Sequence, residues 1–217
     1  MIEKAICRIG AFYDGSFFTR AQMHFYHSRN GWLSFQPFHE LLEMVARDKE
    51  QGYASYKVAY AAWFQGLFKS TKATAEQLKN ERNRYHDLMH AGIEARYLPM
   101  SESQREKGVD VAMAVDIMQV ALNDKIDIAA IITGDADFLP LVRVLMKEGV
   151  RVMAVYFEYE DEHDKAFINE RLLRACNYDV NVNAMEKDHK YKEHFKRLFS
   201  PREIKEREKK KDAVDKP

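Results

Sequence analysis

The sequence predicts an α/β fold, a parallel sheet covered by helices. Short apolar runs alternate with longer helical stretches, as strand-helix-strand units do. Pro140 near the start of one stretch and Gly149 just after it are the punctuation of a helix between two strands. The 217 residues, 46% hydrophobic and 31% charged, suffice for one sizeable domain with an extension, but two full domains would be cramped.

The first run, "AICRIGAFYD" (5–14), is a strand, and "FHELLEMVARDKE" after it sets Leu41, Leu42 and Val45 at helical spacing. "YKVAYAAWF" (56–64) is the second strand. A polar loop then leads into an amphipathic helix carrying Leu78, Tyr85, Leu88 and Met89 and stopping at Gly92. "IEARYLP" (93–99) ends at Pro99, which cannot continue a central ladder. "SESQREKG" (101–108) is a polar loop and "VDVAMAVDIMQVAL" (109–122) a helix. The fourth strand is "IDIAAIIT" (126–133), followed by helix "FLPLVRVLMKEG" (138–149) and the fifth strand "VRVMAVYF" (150–157). "HDKAFINERLLRAC" predicts one more helix and "YDVNV" an edge strand. The domain is therefore placed at 1–184 and a basic, charged helix or tail at 185–217, in which Tyr191, Phe195, Leu198 and Phe199 are able to dock a short helix.

The apolar runs fall well short of the roughly 20 residues that cross a bilayer, so no membrane span is expected. The start, "MIEKAICRIG", lacks the pattern of a secretory signal, and a cytoplasmic location is the expectation. Cys7 and Cys176 have no metal or redox spacing and read as reduced thiols. The net charge of zero hides an uneven distribution, with +5 on residues 187–217 and −5 on the rest. An acidic body with a basic arm is compatible with metal at one and nucleic acid at the other, and equally with solvated charged helices.

In an open parallel sheet, ligands bind outside the carboxyl ends of the strands. Asp14 follows the first strand directly, Asp135 follows "IIT" after one glycine, and Asp110 opens a helix after the 101–108 loop. Three acids thus sit at equivalent places in three units. Carboxylates on one rim repel one another and lose hydration, a cost that a divalent cation removes, and Mg²⁺ suits oxygen-only donors. Their carboxylates are accordingly expected to meet closely enough to share one ion. Each has a plain structural reading too, because Asp before Gly-Ser is a common turn and Asp at a helix start a common cap. Asp137 is read either as the cap of the helix beginning at Phe138 or as a ligand. Asp116 lies six residues from Asp110, roughly 120° around the helix, and joins Gln119 and Asn123 in a polar stripe that lines solvent or the site.

"AFYDGSFF", "KGVDVAMAVDIMQVAL" and "AAIITGDADFLPLVRVLMKEGVRVMAVYF" together resemble the NYN domain family, its LabA-like branch, in the PIN-like nuclease superfamily. The resemblance spans roughly residues 5–180. It implies a Rossmann-like three-layer α/β/α sandwich with a central, mainly parallel sheet of about five strands. It implies Asp14, Asp110 and Asp135 as metal-binding and catalytic acids, with Asp137 and, more weakly, Asp116 beside them. The activity implied is that of a Mg²⁺- or Mn²⁺-dependent ribonuclease hydrolysing RNA phosphodiester bonds, with no histidine base. The family's first motif usually reads Asp-Gly-Ser-Asn, whereas Phe17 stands here at the fourth position and offers no amide to a water or phosphate. Ser16 substitutes in part through its hydroxyl, or simply caps a helix.

An acidic centre needs nearby cations to receive phosphate, and Arg105 and Lys107 are the nearest in sequence, with Lys69 and Lys72 in another loop. Phe17, Phe18, Trp63 and Phe64 follow strand ends and read as core before they read as base-stacking platforms. The leading function is a ribonuclease acting on single-stranded or structured RNA. The alternative is a catalytically weak module that binds RNA or a protein partner. An Asp-x-Asp sugar-nucleotide transferase is disfavoured by chain length, and neither GxxxxGK[ST] nor GxGxxG occurs. An uncovered apolar edge such as 150–157 would suit a homodimer or an interior strand.

Overall fold

The strand order β4-β3-β1-β5-β6-β9 defines the fold of the computed structural model, which describes residues 4–29, 31–101, 103, 106–160 and 165–201. In chain order the elements are β1 (Lys4–Asp14), α1 (Gly15–Arg29), β2 (Gly31–Leu33), α2 (Phe35–Lys49), β3 (Tyr53–Leu67), α3 (Ala75–His90), β4 (Glu94–Pro99) and α4 (Val109–Leu122). There follow β5 (Ile128–Ile132), a 3₁₀ turn at Ala136–Phe138, α5 (Leu139–Lys147), β6 (Arg151–Tyr156), β7 (Tyr159–Glu160), β8 (Lys165–Ala166) and α6 (Glu170–Ala175). The chain continues through β9 (Tyr178–Asn181), a second 3₁₀ turn at Asn183–Glu186, α7 (Lys192–Arg197) and β10 (Phe199–Pro201). Every pairing within the six-stranded sheet is parallel. The sixth strand, β9, is the edge strand expected from "YDVNV". The architecture is the three-layer α/β/α sandwich.

The period-2 alternation of a strand sends neighbouring side chains to opposite layers. On β1, Cys7, Ile9, Ala11 and Tyr13 enter one apolar core with Phe18 and Phe25 of α1 and with Phe38, Leu41 and Leu42 of α2. Phe12 enters the other with Met113 and Ile117 of α4 and with Leu141, Val142 and Leu145 of α5. Burying each such Leu, Ile or Phe side chain contributes about 1.5–3 kcal/mol, which is what holds the helices to the sheet. α3 begins with a capping box, in which Gln77 N–H donates to Thr74 Oγ1 (3.1 Å) and Thr74 N–H to Gln77 Oε1 (2.8 Å).

Two expectations are corrected. α3 buries only Leu88 of its four named apolar residues, while Leu78, Tyr85 and Met89 are exposed. The helix expected in "HDKAFINERLLRAC" is confined to Glu170–Ala175, because the Asn169 side chain accepts the Arg171 N–H (2.9 Å) and starts the helix there. Of the two readings of the 150–157 run the interior strand holds, since β6 is paired on one side with β5 and on the other with β9. The short docked helix expected around Tyr191, Phe195 and Leu198 is present as α7, with these three residues buried, and beyond it β10 pairs antiparallel with β2. Residues 202–217, most of the expected basic arm, lie outside the described residues. No helix among the described residues is long and apolar enough to cross a membrane.

Candidate active site

The sheet order places a crevice between β1 and β5. From β1 the chain builds outward through β3 and β4, then returns to the other side for β5, β6 and β9. Helices α1 and α2 pack on one face and α4 and α5 on the opposite one. The carboxyl ends of β1 and β5 therefore diverge at a reversal of strand order, where loops leave room for a ligand. Asp14 is the last residue of β1, and Gly134-Asp135 follows β5 by two residues.

Hydrogen bonds tie the two strand ends together. Asp14 Oδ1 accepts the Phe17 N–H (3.0 Å) and Oδ2 accepts the Thr133 hydroxyl (3.1 Å). Thr133 Oγ1 in turn accepts the Asp135 N–H (3.2 Å). Asp135 Oδ1 accepts the Asp137 N–H (2.9 Å) and caps the 3₁₀ turn. The capping role considered for Asp137 thus belongs to Asp135, and Asp137 is left exposed on the rim. Gly134 is required by close approach: a Cβ there would stand 3.0 Å from the Phe17 ring and 2.9 Å from the Phe167 carbonyl oxygen.

Asp110 reaches the rim from the first turn of α4, where the helix dipole favours a carboxylate. Gly108 immediately before the helix has φ +76°, a left-handed turn that an L side chain rarely adopts. That turn brings in a residue that the sequence reading passed over as part of a polar loop. Glu106 Oε2 accepts the Ser16 hydroxyl (2.8 Å) and Oε1 accepts the Gly66 N–H (2.7 Å), fastening the 101–108 loop to α1 and β3. Its position four residues before Asp110 was the available signal.

Electrostatics join these acids into one group. Burial pushes the Asp14 carboxyl above its ordinary range, the Phe17 N–H and Thr133 hydroxyl pull it partly back, and the charges of Asp110 and Glu106 push it up again. Asp110 is raised by burial and then by Asp135, Glu106 and Asp137. Asp110 thus stands at the centre of the unfavourable charges on this rim, opposed by Asp14 and Glu106 on one side and by Asp135 and Asp137 on the other. Asp14, Asp110 and Asp135 were expected to come close enough to share one ion; among the described residues, no three His, Cys, Asp or Glu side chains stand as a group able to hold a metal ion. The Phe17 and Asp137 N–H groups engage one carboxylate oxygen each of Asp14 and Asp135 within their own turns, while Thr133 links Asp14 to the end of β5. The donor chemistry still fits a hard cation, because Mg²⁺ keeps several waters and takes one or two carboxylates together with substrate phosphates, without a dedicated protein cage.

Asp116 stands apart from the other acids. Its Oδ2 accepts the Tyr60 hydroxyl (2.9 Å), and Arg96 lies 3.7 Å from Oδ1. Tyr60 pairs with Gly10, four positions before the Asp14–Phe64 pair, so its backbone lies about 13 Å down the sheet from the rim, and Asp116 itself lies about 9 Å along α4 from Asp110. Ser16 is committed to Glu106, Lys107 is exposed beside the rim, and Arg105 lies outside the described residues. Phe17, Phe18, Trp63 and Phe64 are all buried, as core residues. The Phe17 ring fills the space under Gly134 and meets Phe157 at 5.9 Å between centroids, so at this position only the backbone N–H serves the site.

Over 47 residues, 22% of this chain, the sequence is 45% identical to an uncharacterized protein of Methanocaldococcus jannaschii, and the chain spans about a fifth (20%) of that protein's length. A crystal structure of a protein of unknown function from Vibrio parahaemolyticus superimposes with a TM-score of 0.54 at 16% identity, over 88% of this chain and 98% of that one. That likeness concerns the fold alone. The NYN domain matches residues 8–183, at the level of the family as a whole, and it takes in Asp14, Glu106, Asp110, Asp135 and Asp137. The chain belongs to the NYN domain family.

Proposed function

We propose that this protein is a metal-dependent ribonuclease that hydrolyses RNA phosphodiester bonds at the rim between β1 and β5. The observation that carries the reading is the convergence of Asp14 and Asp110, both raised by burial and by neighbouring acids, at the reversal of strand order. Natural stability would favour relieving such repulsion, and its retention at a cleft is characteristic of functional sites. Asp14, Asp110, Asp135 and Asp137 are the residues that would hold Mg²⁺ or Mn²⁺. A divalent ion there supplies charge neutralisation at the phosphate and a water that is acidic enough to act as nucleophile near neutral pH. The chain's own part is to fix these carboxylates. Thr133 and the Phe17 N–H orient Asp14, the Asp137 N–H orients Asp135, and Glu106 holds the loop that delivers Asp110. Asp116, engaged by Tyr60 and Arg96, is left out of the reacting group.

A second reading, a module of this family that binds RNA without cutting it, is favoured by two observations. The rim lacks a preformed three-acid cage among the described residues, and a buried phenylalanine ring occupies the position of the usual amide. The two are separated by incubating the wild type and Asp135→Asn with a panel of RNAs in Mg²⁺ and in Mn²⁺. The ribonuclease reading expects cleavage by the wild type and a loss of about 10²-fold or more in the variant. Binding with no cleavage in either metal would establish the second reading instead.

A further inference from the structure

Two groups flank the acidic rim and neither is explained by holding the acids. Phe167, on the segment between β8 and α6, has 50% of its surface exposed, although its neighbour Ala166 is buried and Ile168 packs against both apolar cores. Its backbone is fixed beside the Gly134-Asp135 turn: its carbonyl oxygen abuts Gly134, and the Asn169 N–H donates to the Gly134 carbonyl (3.4 Å). Phe17, Phe18, Trp63 and Phe64 near the strand ends are buried, whereas Phe167 presents half of its surface to solvent. An exposed phenylalanine on a pinned backbone has little ordering entropy left to lose, which makes it a ready stacking surface for a planar ligand.

Arg84 of α3 lies on the other side. Its guanidinium sits 5.1 Å from the centre of the Trp63 ring and donates from one nitrogen to the Thr19 hydroxyl, one turn along α1 from Ser16. Among the described residues it makes no ion pair; burial lowers its pKa, and the charges of Tyr97, Asp87 and Glu81 offset this only in part. A guanidinium has five N–H donors, of which the protein uses one here, so a bound anion has donors to meet. Trp63 pairs with Tyr13, one residue before Asp14, which places Arg84 close to the level of the rim.

We infer that the rim takes a single RNA strand, with an unpaired base stacked on Phe167 beside Asp135 and a backbone phosphate of a neighbouring nucleotide held by Arg84. This deepens the ribonuclease reading and rests on it. A duplex is excluded as the bound form because a stacked and paired base offers no free face, whereas unstacked bases in single strands do. The acids between the two groups repel phosphate, so a cation at one end and an aromatic face at the other divide the work of holding the strand.

The test is fluorescence anisotropy with a labelled single-stranded 12-nucleotide uridine oligomer in Mg²⁺, in an Asp135→Asn background that suppresses cleavage, beside a duplex of the same length. Adding Phe167→Ala should weaken single-strand binding about tenfold and leave its salt dependence and the melting temperature unchanged, and Phe167→Trp should retain binding. Adding Arg84→Gln should weaken binding about tenfold and reduce the slope of log affinity against log salt by about 0.7, with Arg84→Lys keeping the slope. Unchanged affinity in Phe167→Ala, or a duplex bound as tightly as the single strand, would overturn the inference, and the exposed Phe167 decides the matter if Arg84→Gln does not fold. An unchanged salt slope in folded Arg84→Gln would remove the phosphate contact. Wild-type cleavage is measured alongside: no cleavage with binding lost in both variants sinks the nuclease reading but keeps the strand path.

Discussion

Replacing Asp110 by asparagine should stabilise the protein while abolishing its chemistry. Among the described residues the Asp110 side chain makes no hydrogen bond, and its neighbours Asp135, Glu106 and Asp137 all oppose its charge. The substitution therefore removes repulsion and keeps shape. Relief of unfavourable charge typically yields about 0.5–2 kcal/mol, and because the Asp110 side chain is only partly withdrawn from screening solvent the lower part, about 0.5–1 kcal/mol, is expected. For a chain of 217 residues this raises the melting temperature by about 1–4 °C. The pH dependence fixes the cause. The folded-state pKa lies above the ordinary 3.8, so the folded chain binds the proton more tightly than the unfolded one. The penalty is absent below 3.8, grows as pH rises through the folded pKa, and is complete above it. Differential scanning calorimetry of both proteins from pH 4 to 8 should show a difference that is largest near neutrality and shrinks toward acid. A destabilised variant, or a gain independent of pH, would refute the assignment of Asp110 to a repelling cluster.

Other expectations concern residues whose roles the structure separates. Asp116→Ala should cost about 1–2 kcal/mol by leaving Tyr60 and Arg96 only Glu94 as carboxylate partner, read as a lowered denaturation midpoint. Restoring the usual family residue through Phe17→Asn should destabilise by about 3–5 kcal/mol, because it empties a buried ring site beneath Gly134 and leaves an amide there; a neutral melting result would contradict the packing role. His39 is buried and its imidazole is pushed down to about 4 by desolvation, which outweighs the opposing charge of Glu43. Its contribution is present above the ordinary 6.5 and is lost as pH falls toward 4, by up to about 3 kcal/mol, so His39→Phe should flatten the acid side of the stability profile. That contribution is common to wild type and Asp110→Asn, and it cancels in their comparison.

Much of the fold was legible because strand and helix periods are local. The runs at 5–14, 126–133 and 150–157 match β1, β5 and β6, and Pro140 and Gly149 bracket α5. Asp14 and Asp135 were legible as acids at strand ends, since each follows its strand within a few residues. Other features depended on contacts between distant segments. Glu106 read as part of a polar loop until the Gly108 turn carried it to Ser16 and Gly66, 90 and 40 positions away in sequence. The docking of residues 185–201 depends on β2, and the exposure of Leu78, Tyr85 and Met89 depends on how α3 lies against the sheet, neither of which a helical period can express. Asp116 and Asp110 share one helix at different angles around it, and the position of Tyr60 on β3 and Arg96 on β4 shows what Asp116 engages instead of the rim.

That separation gives the most direct test of the account. Single-turnover cleavage of a single-stranded RNA in Mn²⁺ is measured for the wild type, Asp110→Asn and Asp116→Asn, each shown to be folded by its melting curve. The account predicts cleavage by the wild type, a loss of about 10²-fold or more in Asp110→Asn, and a rate within about twofold of wild type in Asp116→Asn. Equal losses in the two variants, or full activity in Asp110→Asn, would contradict a reacting centre on the rim between β1 and β5.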